Sequence, residues 1–250
     1  MPLSLSAPMP RFHVDLPLSV GRLVELPNET TRHVIGALRL RDGDEVTLFN
    51  GDGGEYSGRL EQQGKGAAVR LSGHDEPRRE SNLSITLAQG ISSGERMDLT
   101  LQKSVELGVA GVQPLMMRRT VVKLSGDKME KRMRHWRGVV IAACEQCGRN
   151  LIPPVAEIED FMAWLRRTQA PGHHRYLLDP EAETSLRDLT VPTGPIILLA
   201  GPEGGFDPVE RNAAVAAGCQ RIRLGPRVLR TETAALAALA AMQAIWGDFR

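Results

Sequence analysis

The chain has few cysteines, few aromatic residues and almost no net charge. Three cysteines in 250 residues are too few for a disulfide framework, and this small odd number is typical of a protein from a reducing compartment. Aromatic residues make up only 4% of the chain, which argues against a surface built mainly for stacking on single-stranded bases. The formal net charge is +1, so a nucleic-acid partner has to be inferred from local patches.

Long apolar runs are missing as well, and the first residues are not expected to form a leader peptide. The N-terminal stretch MPLSLSAPMP has neither a charged beginning nor a long apolar segment, so it is not typical of a secretory signal. The most apolar stretch, residues 234–246, is too short to span a bilayer. We therefore expect no membrane association and predict a cytoplasmic location.

The apolar content is nevertheless sufficient for a sizeable core, at 42% hydrophobic and 24% charged residues. The length fits one large domain or two smaller ones. In the first third of the chain, short segments of rough alternation are separated by turn signals such as Asn50-Gly51, which is typical of a small β-barrel or sandwich. The polar segment 74–81 contains a proline and is interpreted as a linker.

In the rest of the chain, strand patterns alternate with helix patterns. The apolar runs 175–179 and 195–201 are typical of buried strands in a parallel sheet. A helix is predicted to begin at Pro208, with Asp207 as its N-cap and Glu210 at the capping-box position. This alternation predicts an α/β domain with a mostly parallel sheet.

Two glycine turns follow apolar runs, GPEGG at 201–205 and LGPR at 224–227. Ligands of open α/β sheets bind beyond the carboxyl ends of the strands, so the two turns are predicted to wall one pocket. Glu203 would repel a phosphate, and the glycine patterns of dinucleotide and nucleoside-triphosphate sites do not occur there. Binding of such nucleotides is therefore disfavoured, and ordinary connecting loops are the alternative to a pocket.

Cys144 and Cys147 form a C-x-x-C pair, which can be redox-active in a reducing compartment. Thioredoxin-like pairs open a helix just after a strand, whereas these two lie near the end of a predicted long helix. Two thiols alone do not make a zinc site, and the histidines show no ligand spacing beside them. Packing cysteines are the favoured interpretation, redox activity is the alternative, and no metal is expected.

Basic residues are concentrated in the middle of the chain. They are Arg118, Arg119, Lys123, Lys128, Lys131, Arg132, Arg134, Arg137 and Arg149. A solvated helix face is the usual explanation of such a run. Because few acidic partners accompany it, a stripe that faces nucleic-acid phosphates is the competing interpretation.

Four blocks of the chain, in this order, resemble the RsmE family of ribosomal RNA uridine N3-methyltransferases: LQKSVELGVAGVQPL, ACEQCGRNLIPPV, LAGPEGGFDPVE and LGPRVLRTETAALAAL. The segments PRFHV and HVIGALRLRDGDEVTLFNGDGGEY look like the small β domain of that family. The likeness covers nearly the whole chain after the first eight residues, and the combination of GPEGG with a downstream R-x-L-R-T-E-T-A is specific.

The resemblance implies both a fold and an activity. It implies a PUA-like β-barrel RNA-binding domain at 9–78 and a SPOUT-type methyltransferase domain with a C-terminal trefoil knot at 82–250. It also implies a homodimer that uses S-adenosylmethionine to methylate N3 of one uridine in 16S ribosomal RNA, within the small ribosomal subunit. The alternatives are a knotted enzyme that methylates a ribose 2′-hydroxyl or another base, and a non-catalytic RNA-binding assembly factor.

The resemblance also implies site residues. Those expected at the cofactor are Leu178, Asp179, Leu199, Ala200, Gly201, Glu203, Gly204, Gly205, Leu224, Gly225, Val228, Leu229, Arg230, Thr231, Thr233 and Ala234. Those expected at the RNA are Arg11, Arg39, Arg118, Arg119, Lys123 and Arg149.

Uracil N3 carries a proton at neutral pH and is a poor nucleophile until that proton leaves. A base can remove the proton, or a cation can stabilise the anion that spreads over the ring oxygens. We predict Arg149 for the cationic role. Glu203 is the candidate base, and a hydrogen bond that braces its own loop is the competing role for this residue.

Overall fold

The computed structural model describes residues 9–64, 66–122, 125–168 and 172–249. The chain divides into two compact units, of which the first comprises Met1–Glu80 and Cys144–Ile152 and the second comprises Ser81–Ala143 and Pro153–Arg250. The segment 144–152, which interrupts the second unit in sequence, is thus grouped with the first unit by its contacts.

The first unit contains a five-stranded mixed sheet. Its strands are β1 (Arg11–His13), β2 (Leu23–Glu25), β3 (Glu45–Phe49), β4 (Glu55–Gln63) and β5 (Gly66–Asp75). The order is β1-β3-β4-β5-β2, with β1 parallel to β3 and the other neighbours antiparallel. Alternate side chains such as Val46, Leu48, Val69 and Leu71 form the core, as the period of a strand requires. Strand β5 continues to Asp75, beyond the point at which the linker was predicted to begin.

A helical segment in the first unit was not predicted. The short helix α1 (Asn28–Thr31) continues directly into a π-helix, Arg32–Ala37. Its sequence contains β-branched residues and a glycine, which favour helix weakly. Complete burial of Val34 against the sheet core stabilises the segment, and this tertiary contact overrides the local preference.

The second unit contains a six-stranded parallel sheet with helices between the strands. In chain order its elements are β6 (Ile85–Gly90), α2 (Gly94–Glu106), β7 (Gly111–Met116), α3 (Asp127–Cys147), β8 (Glu159–Asp160), α4 (Phe161–Arg167), β9 (His174–Leu178), β10 (Ile196–Ala200), α5 (Pro208–Ala216), β11 (Gln220–Ile222) and α6 (Thr231–Ile245). The last turn of α3 belongs to the first unit. The strand order is β11-β9-β10-β6-β7-β8, which confirms the predicted α/β class.

Strand β10 lies at the centre of this sheet, between β9 and β6. All five of its residues are buried, as expected for a strand with neighbours on both sides and helices over the faces. Leu198 pairs with Tyr176 on one side and with Leu87 on the other. The trefoil knot implied by the resemblance stays a prediction.

Helix α6 packs against α2 within the second unit. Its buried residues recur at helical spacing and include Ala235, Ala238, Leu239 and Met242. Leu236 is only half-buried, because it lies at the edge of this stripe.

The thiols of the two buried cysteines are poorly reactive. Burial raises the pKa of Cys144 to about 12 and the pKa of Cys219 to about 11. Because the thiolate is the reactive form, neither is a nucleophile at neutral pH, which favours the packing role over a redox pair.

No helix within the described ranges has both the length and the apolar character needed to cross a membrane. In the same part of the chain, no group of three or more His, Cys, Asp or Glu side chains is arranged to hold a metal ion.

Candidate active site

A cavity of about 580 Å³ opens beyond the carboxyl ends of β9, β10 and β11, which are neighbours in the parallel sheet. Such an edge is where open α/β sheets bind ligands, and the volume lies within the range of about 300–1,000 Å³ that is typical of small-molecule sites. The lining comes from the segments 178–181, 200–206, 222–224 (Ile222 and Leu224) and 227–232, from Ala234, and from three single arginines, Arg96, Arg119 and Arg211.

The GPEGG turn after β10 is held close to other parts of the second unit. A Cβ atom on Gly204 would lie 2.9 Å from the Cβ of Arg119. A Cβ on Gly90, at the end of β6, would lie 2.5 Å from the backbone nitrogen of Pro202. Only glycine fits such close passages of one chain segment past another, so these glycines are explained by packing.

A buried polar cluster fixes the first residue of α6 to this turn. The Nε2 of Gln89 donates a hydrogen bond to Thr231 Oγ1 at 3.0 Å, and Thr231 Oγ1 donates to the carbonyl of Gly201 at 2.5 Å. Gln89 is fully buried at the end of β6. The walls formed by β10 and α6 are therefore joined by hydrogen bonds shielded from water, which strengthens them.

Glu203, in the middle of the turn, is held by three donors on one carboxylate oxygen. The amide and hydroxyl of Ser93 donate to its Oε1 at 2.8 and 2.7 Å, and Arg96 donates at 3.2 Å. Partial burial by itself raises the pKa of the Glu203 carboxyl, but these hydrogen bonds outweigh it and the pKa lies below its usual value. Its Oε2 atom is buried and has no hydrogen-bond partner in the described part of the chain.

The other carboxylates of the lining differ in their partners. Asp179 is buried and accepts a hydrogen bond from Arg221 at 2.6 Å, while Glu181 forms an ion pair with Arg211 at 2.8 Å. Glu232, in the first turn of α6, has no hydrogen-bond or ion-pair partner among the described residues, and its Oε2 atom is buried. Among the four carboxylates of the lining, Glu232 is thus the one with no partner on either oxygen in the described part of the chain.

Arginines surround the mouth of the cavity. Arg119, Arg227 and Arg230 are exposed, and Arg119 donates a hydrogen bond to the carbonyl of Gly204 at 3.0 Å. No ion-pair partner of Arg227 or Arg230 occurs within the described ranges. Guanidinium groups with free donors are suited to phosphate, because they offer several N–H groups in a planar fork.

The helix that follows the turn begins as predicted. Asp207 is the N-cap of α5 and accepts from the amide of Val209 at 3.0 Å, Pro208 occupies the first position, and Glu210 completes the capping box. Glu210 is buried and also accepts a hydrogen bond from the amide of Arg118 at 2.8 Å. The cap therefore anchors the segment after β7 to the start of α5.

Most residues expected at the cofactor line this cavity. The exceptions are Leu199, which is buried in β10, and Gly225 and Thr233, which are exposed but do not reach the lining. Sequence analysis missed several lining residues outside or beside the expected segments, namely Arg96, Phe206, Arg211, Ile222, Arg227 and Glu232. Glu232 is itself the glutamate of the R-x-L-R-T-E-T-A block, so the sequence contained a signal for it.

The residues expected at the RNA fall into different environments. Arg39, Arg118 and Arg119 are exposed, and Lys123 lies outside the described residues. Arg11 is half-buried in the first unit, where it forms an ion pair with Glu55 and donates to Asn150 at 2.6 Å. An arginine that is already paired inside the fold presents few free donors to a phosphate.

Arg149 is also placed in the interior, not on a surface. It is 6% exposed, and it forms an ion pair with Glu80 at 2.6 Å in the first unit. It is absent from the lining of the cavity, all of which belongs to the second unit. These contacts give Arg149 a structural role that competes with the predicted cationic role in the reaction.

Comparisons with known proteins agree on one family. The RNA methyltransferase domain family matches residues 79–243, and the RNA methyltransferase PUA domain family matches residues 26–71. The ribosomal RNA small subunit methyltransferase E of Buchnera aphidicola (subsp. Schizaphis graminum) is 33% identical over 241 residues, which cover 96% of this chain and 98% of that protein.

Two solved structures are similar to this chain in both fold and sequence. A ribosomal RNA small subunit methyltransferase E from Neisseria gonorrhoeae, bound to S-adenosyl methionine, is 44% identical with a TM-score of 0.90, covering 97% of this chain and 100% of that one. A methyltransferase structure from Legionella pneumophila, in complex with the bound cofactor SAM, is 42% identical with a TM-score of 0.92, covering 96% and 99%.

Proposed function

The chain belongs to the ribosomal RNA small subunit methyltransferase E family and is an RNA methyltransferase, and on that premise we propose that it transfers the methyl group of S-adenosylmethionine to N3 of a uridine in 16S ribosomal RNA. The observation that carries the proposal is the cavity beyond β9, β10 and β11. Support also comes from the two related structures that contain this methyl donor.

The cavity fits a methyl donor better than a nucleotide phosphate. Glu203 is ionised, and one of its oxygens is buried without a partner among the described residues, which suits a cationic ligand and repels a phosphate. Leu178, Ile222 and Leu229 supply apolar surface for a nucleobase. When bound, the donor supplies an electrophilic methyl group, and the chain itself orients the partners and excludes water.

We propose that the cofactor is held by the expected residues that line the cavity. They come from the ends of β9 and β10, the loop after β11 and the first turn of α6. Three expected residues do not line the cavity and are proposed to shape the strand, the turn and the helix that form its lining. They are Leu199, Gly225 and Thr233.

We propose that the RNA is bound by exposed arginines of both units. Arg118 and Arg119 lie beside the cavity turn, and Arg39 lies on the first unit. Lys123 is retained as a predicted RNA contact on its sequence position alone. The predicted domain boundaries, 9–78 and 82–250, the homodimer, the ribosomal-subunit substrate and the cytoplasmic location belong to the same proposal.

Glu203 is proposed to brace the turn and to face the donor. A carboxylate with a lowered pKa and three hydrogen bonds on one oxygen is a weak base, so the bracing role is favoured over proton removal. For Arg149, the buried ion pair with Glu80 favours a structural role over the predicted cationic role in the reaction.

The decisive experiment is methylation of small ribosomal subunits that lack the modification, with S-adenosylmethionine labelled in its methyl group. The modified nucleoside is then mapped by mass spectrometry. We expect label on N3 of one uridine. Label on a ribose hydroxyl or on another base would assign a different specificity, and binding of RNA without any transfer would identify a non-catalytic assembly factor.

A parallel reaction with protein-free 16S RNA tests the form of the substrate. We expect faster transfer to the assembled subunit. Sedimentation velocity of the purified protein tests the homodimer, and a monomer at micromolar concentration would contradict it.

A further inference from the structure

We infer that Glu232 is the general base that removes the N3 proton of the target uridine. The inference rests on the proposed function, since it assigns a step of that reaction to a side chain of the same cavity. Four carboxylates line the cavity, and the inference comes from comparing them.

Three of these carboxylates already have partners, although the Oε2 atom of Glu203 has none among the described residues. Asp179 is paired with Arg221, and Glu181 is paired with Arg211. Glu203 accepts three hydrogen bonds on one oxygen. Each of these partners takes up lone pairs of the carboxylate, so fewer acceptor sites are left for the proton of a substrate.

Glu232 differs in that nothing within the described part of the chain occupies its carboxylate. Its Oε2 atom is buried and has no hydrogen-bond partner. A buried acceptor without a partner costs free energy, and it is explained when a ligand supplies the missing donor. Uracil N3–H is such a donor, and S-adenosylmethionine held by the same lining would supply the electrophilic methyl group in this cavity.

The position of Glu232 is fixed by the residue before it. Thr231 is hydrogen-bonded to both Gln89 and Gly201, so the first turn of α6 cannot shift relative to the end of β10. A catalytic base has to be held in reach of the proton that it takes, and such a buried anchor provides this.

The proposed step is balanced. The N3 proton passes to the carboxylate of Glu232, and the electron pair left on N3 forms the bond to the methyl carbon. The carbon–sulfur bond breaks, and its electron pair stays on sulfur, which becomes neutral. The carboxylic acid afterwards returns its proton to solvent.

The other charged groups of the cavity lining are Arg96, Arg119, Asp179, Glu181, Glu203, Arg211, Arg227 and Arg230. All of these groups are retained in a Glu232→Gln variant. A difference between the pH dependence of the rate in this variant and in the wild-type enzyme therefore reports the side chain at position 232.

The test compares Glu232→Gln with the wild-type enzyme in single-turnover methyl transfer at saturating S-adenosylmethionine. We expect a loss of about 10²–10⁴-fold near neutral pH, the usual contribution of a general base. The rate of the variant should rise with pH, because alkaline solution ionises N3 without help. RNA containing 5-fluorouridine should rescue the variant selectively, since fluorine makes the N3 proton more acidic.

Two measurements other than turnover separate a chemical role from a structural one. Calorimetric affinity for S-adenosylmethionine and the thermal unfolding midpoint should change little in Glu232→Gln. Glu95→Gln is the matched control, because Glu95 is an exposed acid in the first turn of α2 that does not line the cavity. It should behave as wild type in every assay.

The outcomes are distinct for the two claims. A wild-type enzyme that places no methyl on uridine N3 would overturn the proposed function. Normal turnover by Glu232→Gln, or a loss that neither alkaline pH nor 5-fluorouridine restores, would overturn the role of Glu232 while leaving the function intact.

Discussion

At the residue scale, Glu203 connects two segments that are far apart in sequence. Its carboxylate accepts hydrogen bonds from the backbone amide and the hydroxyl of Ser93. Ser93 follows β6, whereas Glu203 follows β10. Sequence analysis could name this glutamate because a charge in a glycine turn is unusual. The sequence does not distinguish a catalytic base from a residue that braces its own turn, since the difference depends on hydrogen-bond donors that lie 110 residues away in the chain.

The lowered pKa of Glu203 predicts how stability depends on pH. A folded-state pKa below the usual value of 4.5 means that the unfolded chain binds more protons here, so the stabilisation is complete above about that pH. It is lost as the pH falls through the folded-state pKa. We therefore expect Glu203→Gln to lower the urea midpoint at neutral pH and to converge with wild type in acid.

The measurement is urea denaturation of both proteins at a series of pH values from neutral to about 3, spanning the ordinary carboxyl pKa. Glu95→Gln, at an exposed site, serves as the control and should show no such convergence. A difference between wild type and Glu203→Gln that is independent of pH would show that the ionised carboxylate does not brace the turn.

The ion pair of Arg149 with Glu80 gives a second prediction at this scale. Breaking a buried pair by removing one partner costs about 3–5 kcal/mol. Because Arg149 is buried and Glu80 is partly exposed, we expect Arg149→Ala to lower the free energy of unfolding by roughly the lower end of that range. Urea denaturation of Arg149→Ala, Glu80→Ala and the double variant measures the coupling.

Turnover assays at a temperature where every variant is folded complete this test. A structural Arg149 predicts normal transfer by the folded variant. Full stability combined with lost turnover would instead support the cationic role that the sequence suggested.

At the scale of elements, the helix α5 and the turn before it are specified locally. Asp207, Pro208 and Glu210 each have the residue type that their cap position requires, and the structure has the helix where they predict it. The π-helical segment Arg32–Ala37 is the opposite case, because its local preferences are weak and the burial of Val34 decides its conformation.

The cap of α5 can be tested by Asp207→Ala. The substitution removes the acceptor for the amide of Val209, so we expect a loss of about 1 kcal/mol, within the range of about 0.5–2 kcal/mol known for N-caps. Asp207→Ser keeps a capping oxygen and should retain most of the stability. Equal losses in the two variants, measured by urea denaturation, would mean that the cap is not what stabilises this helix.

At the scale of the whole molecule, three strands that are distant in sequence create the cavity. Strands β9, β10 and β11 are neighbours in the sheet, and their carboxyl ends bring the loops 178–181, 200–206 and 222–230 to one edge. The site formed by these loops therefore exists only in the folded chain, and a ligand that binds there stabilises the folded state.

This dependence on the fold predicts a thermal shift. A donor present at a hundred times its dissociation constant stabilises the folded state by about 2.7 kcal/mol. We expect S-adenosylmethionine to raise the unfolding temperature in differential scanning calorimetry. ATP at the same concentration should not raise the unfolding temperature, because the carboxylate of Glu203 would repel its phosphates. An equal shift by ATP would contradict the assignment of the cavity.

The sequence by itself determined the features that depend on neighbouring residues and on a recognisable family pattern. The strand–helix alternation, the caps of α5, the GPEGG and R-x-L-R-T-E-T-A turns and the methyltransferase family all follow from local order, because dihedral preferences, side-chain period and motif spacing act over a few residues. The tertiary structure alone decided which side chains of the candidate site have hydrogen-bond or ion-pair partners. It paired Arg149 with Glu80 and Glu203 with Ser93, and it left Glu232 without a partner among the described residues. Burial and hydrogen bonding between distant segments set these states, and no local pattern encodes them.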